Sequence, residues 1–136
     1  MNNIKKTVGG ILCAIILIMP SAAGAQDFQT MEPAYEVPEP CNKYVEKLEA
    51  YDWDTSMAIR IAMKESRCNE KGHNPKDGHK GCIGSWSLMN VGCVHYKKGE
   101  SHDDLDLNIE KSYKIYIDSG RSFGAWTTCK LVKGCK

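Results

Sequence analysis

The chain is apolar at Met57, Ala58, Ile59, Ile61, Ala62 and Met63, interrupted by the cations Arg60 and Lys64. Stepped at about 100° per residue, the apolar positions fill one broad arc of a helix and the two cations face away from it. Asp54 or Thr55 can cap the start, and the helix is expected to run to about Ser66. Val45, Leu48 and Tyr51 predict a shorter helix before it. Ile109, Tyr113, Tyr116 and Ile117 predict a longer one from about Asn108 to Ser119, with Gly120 suited to a left-handed stop. Phe123 and Trp126 open a last short helix ended by Gly134. Between Cys68 and Gly81 the chain is polar, and Asn74-Pro75 and Asp77-Gly78 mark turns, so a loop with at most a small hairpin is expected there. Apolar residues return at Ile83, Trp86, Leu88, Met89 and Val91. The expected fold class is therefore mainly α, a helical α+β domain with at most a small β-hairpin.

One polar residue breaks the pattern in a chemically useful place. Glu65 falls inside the apolar arc of the second helix. A carboxylate turned against an apolar wall loses hydration in its charged form, which favours holding a proton, and such a group can act as a general acid. The alternative is that the helix frays after Lys64 and leaves Glu65 at a solvated end.

The first residues read as an export signal. Lys5 and Lys6 precede an apolar run from Val8 to Met19, Pro20 breaks it, and Ala23-Gly24-Ala25 provides the small-residue pattern of a cleavage site. The run is short of the ~20 apolar residues that a spanning helix needs, so secretion to the periplasm or beyond is expected, with no stable membrane insertion. Residues 26–40, punctuated by Pro33, Pro38 and Pro40 and acidic without a base, read as a tether, and residues 41–136 as one domain. Removing residues 1–25 takes Cys13 with them, so the seven cysteines become six: Cys41, Cys68, Cys82, Cys93, Cys129 and Cys135. An even count in a small exported chain reads as a three-disulfide framework. Many pairings are open. The one that ties the ends of the domain joins Cys41 to Cys135, Cys68 to Cys82 and Cys93 to Cys129. A metal site using His73, His79, His95 or His102 is the competing reading, disfavoured because no paired C-x-x-C knuckle is present; no metal and no cofactor are expected. From Cys41 onward 16 basic residues face 13 acidic ones, a mild excess suited to an anionic polymer such as a cell wall and far from the dense basic stripe of a nucleic-acid binder.

Several spaced motifs resemble the lysozyme-like superfamily, in particular its soluble lytic transglycosylase domain. The chain carries Glu65-Ser66 at a helix end, then Gly81-Cys82-Ile83-Gly84 leading into Leu88-Met89, then Asp104 four residues before Asn108-Ile109, with Ser112 where the family has a small packing residue. The matches lie in the family's order across roughly residues 54–130. Departures are Ser87 where the family usually has glutamine and Asn90 where it usually has proline. Animal-type lysozymes place a second carboxylate two residues before the glycine that matches Gly84; here that position is Cys82.

The resemblance implies a secreted, monomeric enzyme that cuts the MurNAc-GlcNAc β-1,4 bond of peptidoglycan glycan strands. Glu65 would be the catalytic acid. Without a facing carboxylate, the substrate's N-acetyl group steadies the positive centre and its own 6-hydroxyl attacks, giving a 1,6-anhydro product, while Glu65 turns from acid to base. The substrate-binding residues implied are Ser66, Gly84, Trp86, Ser87, Met89, Asn90 and Tyr113. Four of them have a plainer reading: Ser66 as a bond to nearby backbone, Gly84 as backbone geometry, Trp86 and Tyr113 as core. Asp77 is the candidate for positioning a water, against the reading of an ordinary turn residue. Two other functions stay open: a lysozyme-type hydrolase of the same fold, and a disulfide-stapled glycan-binding module that does not cut.

Overall fold

A computed structural model describes residues 35–79 and 81–136; residues 1–25, read as an export signal, and the first part of the stretch read as a tether lie outside the described residues. A 3-10 turn at Glu39–Tyr44 leads into α1 (Val45–Glu49), followed by α2 (Thr55–Glu65). Three antiparallel strands come next, β1 (His73–His79), β2 (Cys82–Trp86) and β3 (Val91–Gly92), in that spatial order. A 3-10 turn at Cys93–His95, the long helix α3 (Leu105–Asp118), and 3-10 stretches at Phe123–Ala125 and Thr127–Leu131 complete the chain. The class is α+β: helices with a small three-stranded sheet and three disulfides.

Caps set the helix starts. The Asp54 carboxylate accepts from the Met57 N–H at 3.0 Å, and Asp104 does the same for Leu107 at 3.0 Å, each satisfying an N–H that the first turn leaves without a partner. α3 therefore begins at Leu105, three residues before the position suggested by apolar spacing. It ends as expected, with Gly120 at φ 74°. Met57, Ala58, Ile59, Ile61 and Ala62 are all buried, which bears out the arc of α2. They pack with Leu48, Leu88, Met89 and Ile109, and an aromatic group of Trp53, Tyr116, Phe123 and Trp126 closes the core. Tyr35 and Val37 also pack against it, and the Arg60 guanidinium lies 4.4 Å from the Tyr35 ring centre. Core contacts thus begin six residues before Cys41, inside the stretch read as tether.

Two local expectations change. Asn74-Pro75 and Asp77-Gly78 are not the hairpin turn; they lie within β1. Asn74 pairs with Ser85 and Gly78 with Ile83, so three residues of β1 oppose the single Gly84 of β2. The turn formers have produced a bulge, and the reversal falls at Gly81, whose φ is 85°. The last helix is also absent as an α-helix. Gly124 and the β-branched pair Thr127-Thr128 leave only two short 3-10 pieces.

The disulfides join Cys41 to Cys68, Cys82 to Cys93 and Cys129 to Cys135, with Cα atoms 5.2, 5.9 and 5.3 Å apart. This corrects every one of the expected pairings. A bridge needs Cα atoms within about 7 Å. The fold meets that need by docking the turn before α1 on the end of α2, by bringing β2 beside the segment that follows β3, and by curling the C-terminal stretch onto itself.

Loop-closure entropy predicts unequal contributions. The Cys41–Cys68 bridge spans 27 residues and Cys129–Cys135 spans 6, so paired replacement by alanine is expected to cost about 3.5 kcal/mol for the first and about 2 kcal/mol for the second. Denaturant titration of the two double variants checks the order. A second expectation concerns Glu100, which accepts from the Lys111 ammonium and from the Lys97 N–H. The hydrogen bond from Lys111 is the main cause that holds its carboxyl below the ordinary 4.5. A depressed carboxyl stabilises the fold above its unfolded-state value, and that contribution fades as pH falls through the folded-state value. The melting-temperature gap between the parent and Glu100→Gln should therefore be present at neutral pH and shrink in acid.

Candidate functional site

Glu65 is the last residue of α2, so the way that helix stops decides where its carboxylate points. The Ser66 N–H donates to the Ala62 carbonyl at 3.0 Å, and the chain then turns left-handed at Arg67 and Cys68, with φ of 58° and 57°. The Ser66 hydroxyl donates to the Leu88 carbonyl at 2.7 Å and accepts from the Asn69 N–H at 3.0 Å. Its contact with the Ala62 carbonyl is longer, 3.3 Å, and a hydroxyl has a single hydrogen to give. Cys68 is fixed to Cys41. The helix does not fray after Lys64; its end is locked.

The Glu65 carboxyl is half-buried, and polar groups meet both of its oxygens. Thr128 Oγ1 donates to Oε1 at 2.6 Å. Asn90 Nδ2 donates to the Glu65 backbone carbonyl at 2.6 Å and reaches Oε2 at 3.2 Å. The expected apolar wall is thus completed by a hydroxyl and an amide. Asn90 holds this position because the turn from Ser87 to Asn90, between β2 and β3, ends with Asn90 at φ 48°, a region asparagine tolerates better than most residues. Thr128 is placed by its neighbours: Trp126 is buried with its Nε1 donating to the Met89 carbonyl at 2.9 Å, and Cys129 is bridged to Cys135.

Glu65 opens on a cavity of about 470 Å³ whose wall includes Asp77, Asn90, His95, Asp118 and Trp126. Asp77 arrives on the β1 bulge. Asp118 closes α3 and is paired with Lys114 at 2.9 Å. A second cavity of about 390 Å³ shares His95, Ile115 and Asp118 with the first and is edged by Lys97, Lys111 and Lys114. Among the described residues, no group of three His, Cys, Asp or Glu side chains is placed to hold a metal ion.

The other residues expected at the site sit elsewhere. Ser66 ties the helix end to Leu88. Gly84, at φ 104°, lies beneath the Trp86 ring, and a Cβ there would meet that ring at 2.6 Å. Trp86 is itself stacked with both His73 and His102, with ring centres 4.9 and 4.0 Å away, so imidazoles occupy ring surface that could have taken a sugar. Ser87 and Met89 are buried. Tyr113 packs against Tyr51 and Trp53. None of these lines the Glu65 cavity, and the sequence-expected set on its wall narrows to Glu65, Asn90 and Asp77. Thr128 and Asp118 were not anticipated, and His95 was considered only as a metal ligand. Nothing in periodicity marks a threonine 63 positions from Glu65 as its neighbour.

No family model matches this chain, and neither does any curated protein or solved structure.

The left-handed turn at Asn90 makes a directional prediction. Asn90→Gly loses the amide hydrogen bonds, about 1 kcal/mol or somewhat more, but keeps the backbone unstrained. Asn90→Ala loses the same bonds and adds the cost of a Cβ at positive φ, about 1–2 kcal/mol. Alanine is therefore expected to be the less stable of the two in urea titration, and the reverse order would show that φ at this position is relaxed.

Proposed function

We propose that the protein cleaves the glycan strands of peptidoglycan at the MurNAc-GlcNAc β-1,4 bond, as a secreted lytic transglycosylase of lysozyme-like type with Glu65 as its catalytic acid. The observation that carries this reading is a carboxyl at a locked helix end, held by Thr128 and Asn90, opening on a cavity between the sheet and the helices. Breaking a glycosidic bond requires a proton for the leaving oxygen and relief for the positive charge left on the sugar. Glu65 supplies the proton. The groups touching its carboxyl are a hydroxyl and an amide, and Cys82, which stands where an animal-type lysozyme would have its second acid, is committed to Cys93. The charge is then relieved by the substrate's own N-acetyl group, and attack by the sugar 6-hydroxyl returns a proton to Glu65 as base. The shared wall of the two cavities along α3 suits a polymer better than a single small sugar.

Hydrolysis is the second reading, and Asp77 is the reason for it. The bulge of β1 brings this carboxylate to the same cavity wall as Glu65, where it can orient a water. Mass spectrometry of digested wall fragments separates the two: transglycosylation leaves 1,6-anhydro ends, and hydrolysis leaves reducing ends one water heavier. Asp77→Asn is expected to leave the anhydro product unchanged, whereas its loss of all turnover would favour hydrolysis.

Glu65→Gln is expected to abolish turnover, a loss on the order of a hundredfold or more, with only a small drop in melting temperature, because the amide matches the acid in size and its oxygen still accepts from Thr128, while the 3.2 Å contact with Asn90 is lost and no proton can be delivered. Wall clearing by that variant at the parental rate would remove the basis of the proposal. Retained binding without turnover in the parent would identify a glycan-binding module.

A further inference from the structure

The two oxygens of the Glu65 carboxyl are held unequally. Among the described residues, Oε1 takes the Thr128 hydroxyl at 2.6 Å, whereas Oε2 has only the Asn90 amide at 3.2 Å, a group whose shorter bond, 2.6 Å, goes to the Glu65 backbone carbonyl. Resting on the glycosidase reading, we propose that Thr128 is the positioning residue of the reaction: it pins Oε1 and thereby makes Oε2 the oxygen that gives up and takes back the proton.

The chemistry requires the pin to survive a change of charge. In the first step Oε2–H passes its proton to the leaving oxygen, and the carboxyl becomes a carboxylate. In the second step Oε2 takes the proton of the attacking hydroxyl, and the acid is restored. Oε1 can accept a hydrogen bond in both states, so a hydroxyl donor on it need not break or reverse during the cycle. The Asn90 amide is compatible with both as well, since its N–H can approach either a carboxylate oxygen or the free lone pair of a protonated one. A carboxyl free to rotate would present either oxygen to the bond, and an error of about 1 Å at a reacting atom can cost on the order of a hundredfold in rate.

The fold supports the pin from both sides. Trp126, two residues before Thr128, is buried and anchored to the Met89 carbonyl, and Cys129, directly after it, is bridged to Cys135. Thr128 can therefore hold Oε1 in place rather than follow it.

Steady-state kinetics on soluble glycan strands test the inference, with the full chain carrying Thr128→Val, Thr128→Ala and Thr128→Ser beside the parent and Glu65→Gln. Valine keeps the shape and removes the hydroxyl, alanine serves if valine does not fold, and serine keeps the hydroxyl. The expected result is a kcat lowered about 10- to 100-fold by valine or alanine, a KM within about twofold of the parent, and a serine variant restored to within about threefold of the parental kcat. Parental kcat in the valine variant would overturn the proposal, as would an equal loss in serine and valine, which would assign the effect to the methyl group and packing. A change confined to KM would overturn it too. If the parent itself cuts no glycan strand, the glycosidase reading fails and this inference falls with it; if the parent cuts, Glu65→Gln does not and Thr128→Val does, the inference alone is lost.

Discussion

The stop of α2 is the constraint on which the site depends. A helix end leaves carbonyls without intrahelical partners and is the part of a helix most prone to fray. Here it is held from several directions: by the Ser66 hydroxyl on Leu88, by the Cys68 bridge to Cys41, by the Asn90 amide on the Glu65 carbonyl, and by Thr128 on the side chain. Those contacts come from segments before, after and far beyond the helix. A carboxyl so held can present one oxygen in one direction, which acid catalysis needs and a frayed helix end would not provide.

The disulfides fit this arrangement better than a framework tying the two ends of the domain would. Cys41–Cys68 locks the far end of α2, Cys82–Cys93 braces the sheet that carries Asp77 to the cavity, and Cys129–Cys135 stiffens the stretch that presents Thr128. Each sits next in sequence to a segment of the site: Cys68 three positions after Glu65, Cys93 directly after Gly92 of the cavity wall, and Cys129 directly after Thr128. In so small a body, where the apolar core alone buries limited area, cross-links placed at the cleft substitute for packing depth.

Asn90 shows how a departure from a family pattern gains a physical meaning. The resembled family usually has proline at this position, and proline, fixed near φ −65°, cannot adopt the φ of 48° seen here. Asparagine can, and in doing so it swings its amide onto Glu65. The residue that looked like a weakness in the resemblance is one of the two groups that hold the proposed acid.

What the sequence determined by itself was local. Asp54 as a cap, the buried arc of α2, Gly120 as the stop of α3 and Glu65 as the odd polar residue in an apolar face all follow from interactions a few residues long, which spacing encodes directly, and the even count of cysteines announced three disulfides. The tertiary structure decided what depends on distant segments meeting: which cysteines pair, that the Asp77-Gly78 turn signal becomes a bulge at the cavity wall, that Trp86 stacks with two imidazoles, and that Thr128 reaches Glu65 across 63 residues. Spacing carries no record of such meetings, because they are set by the packing of the whole core and not by the residues that happen to touch.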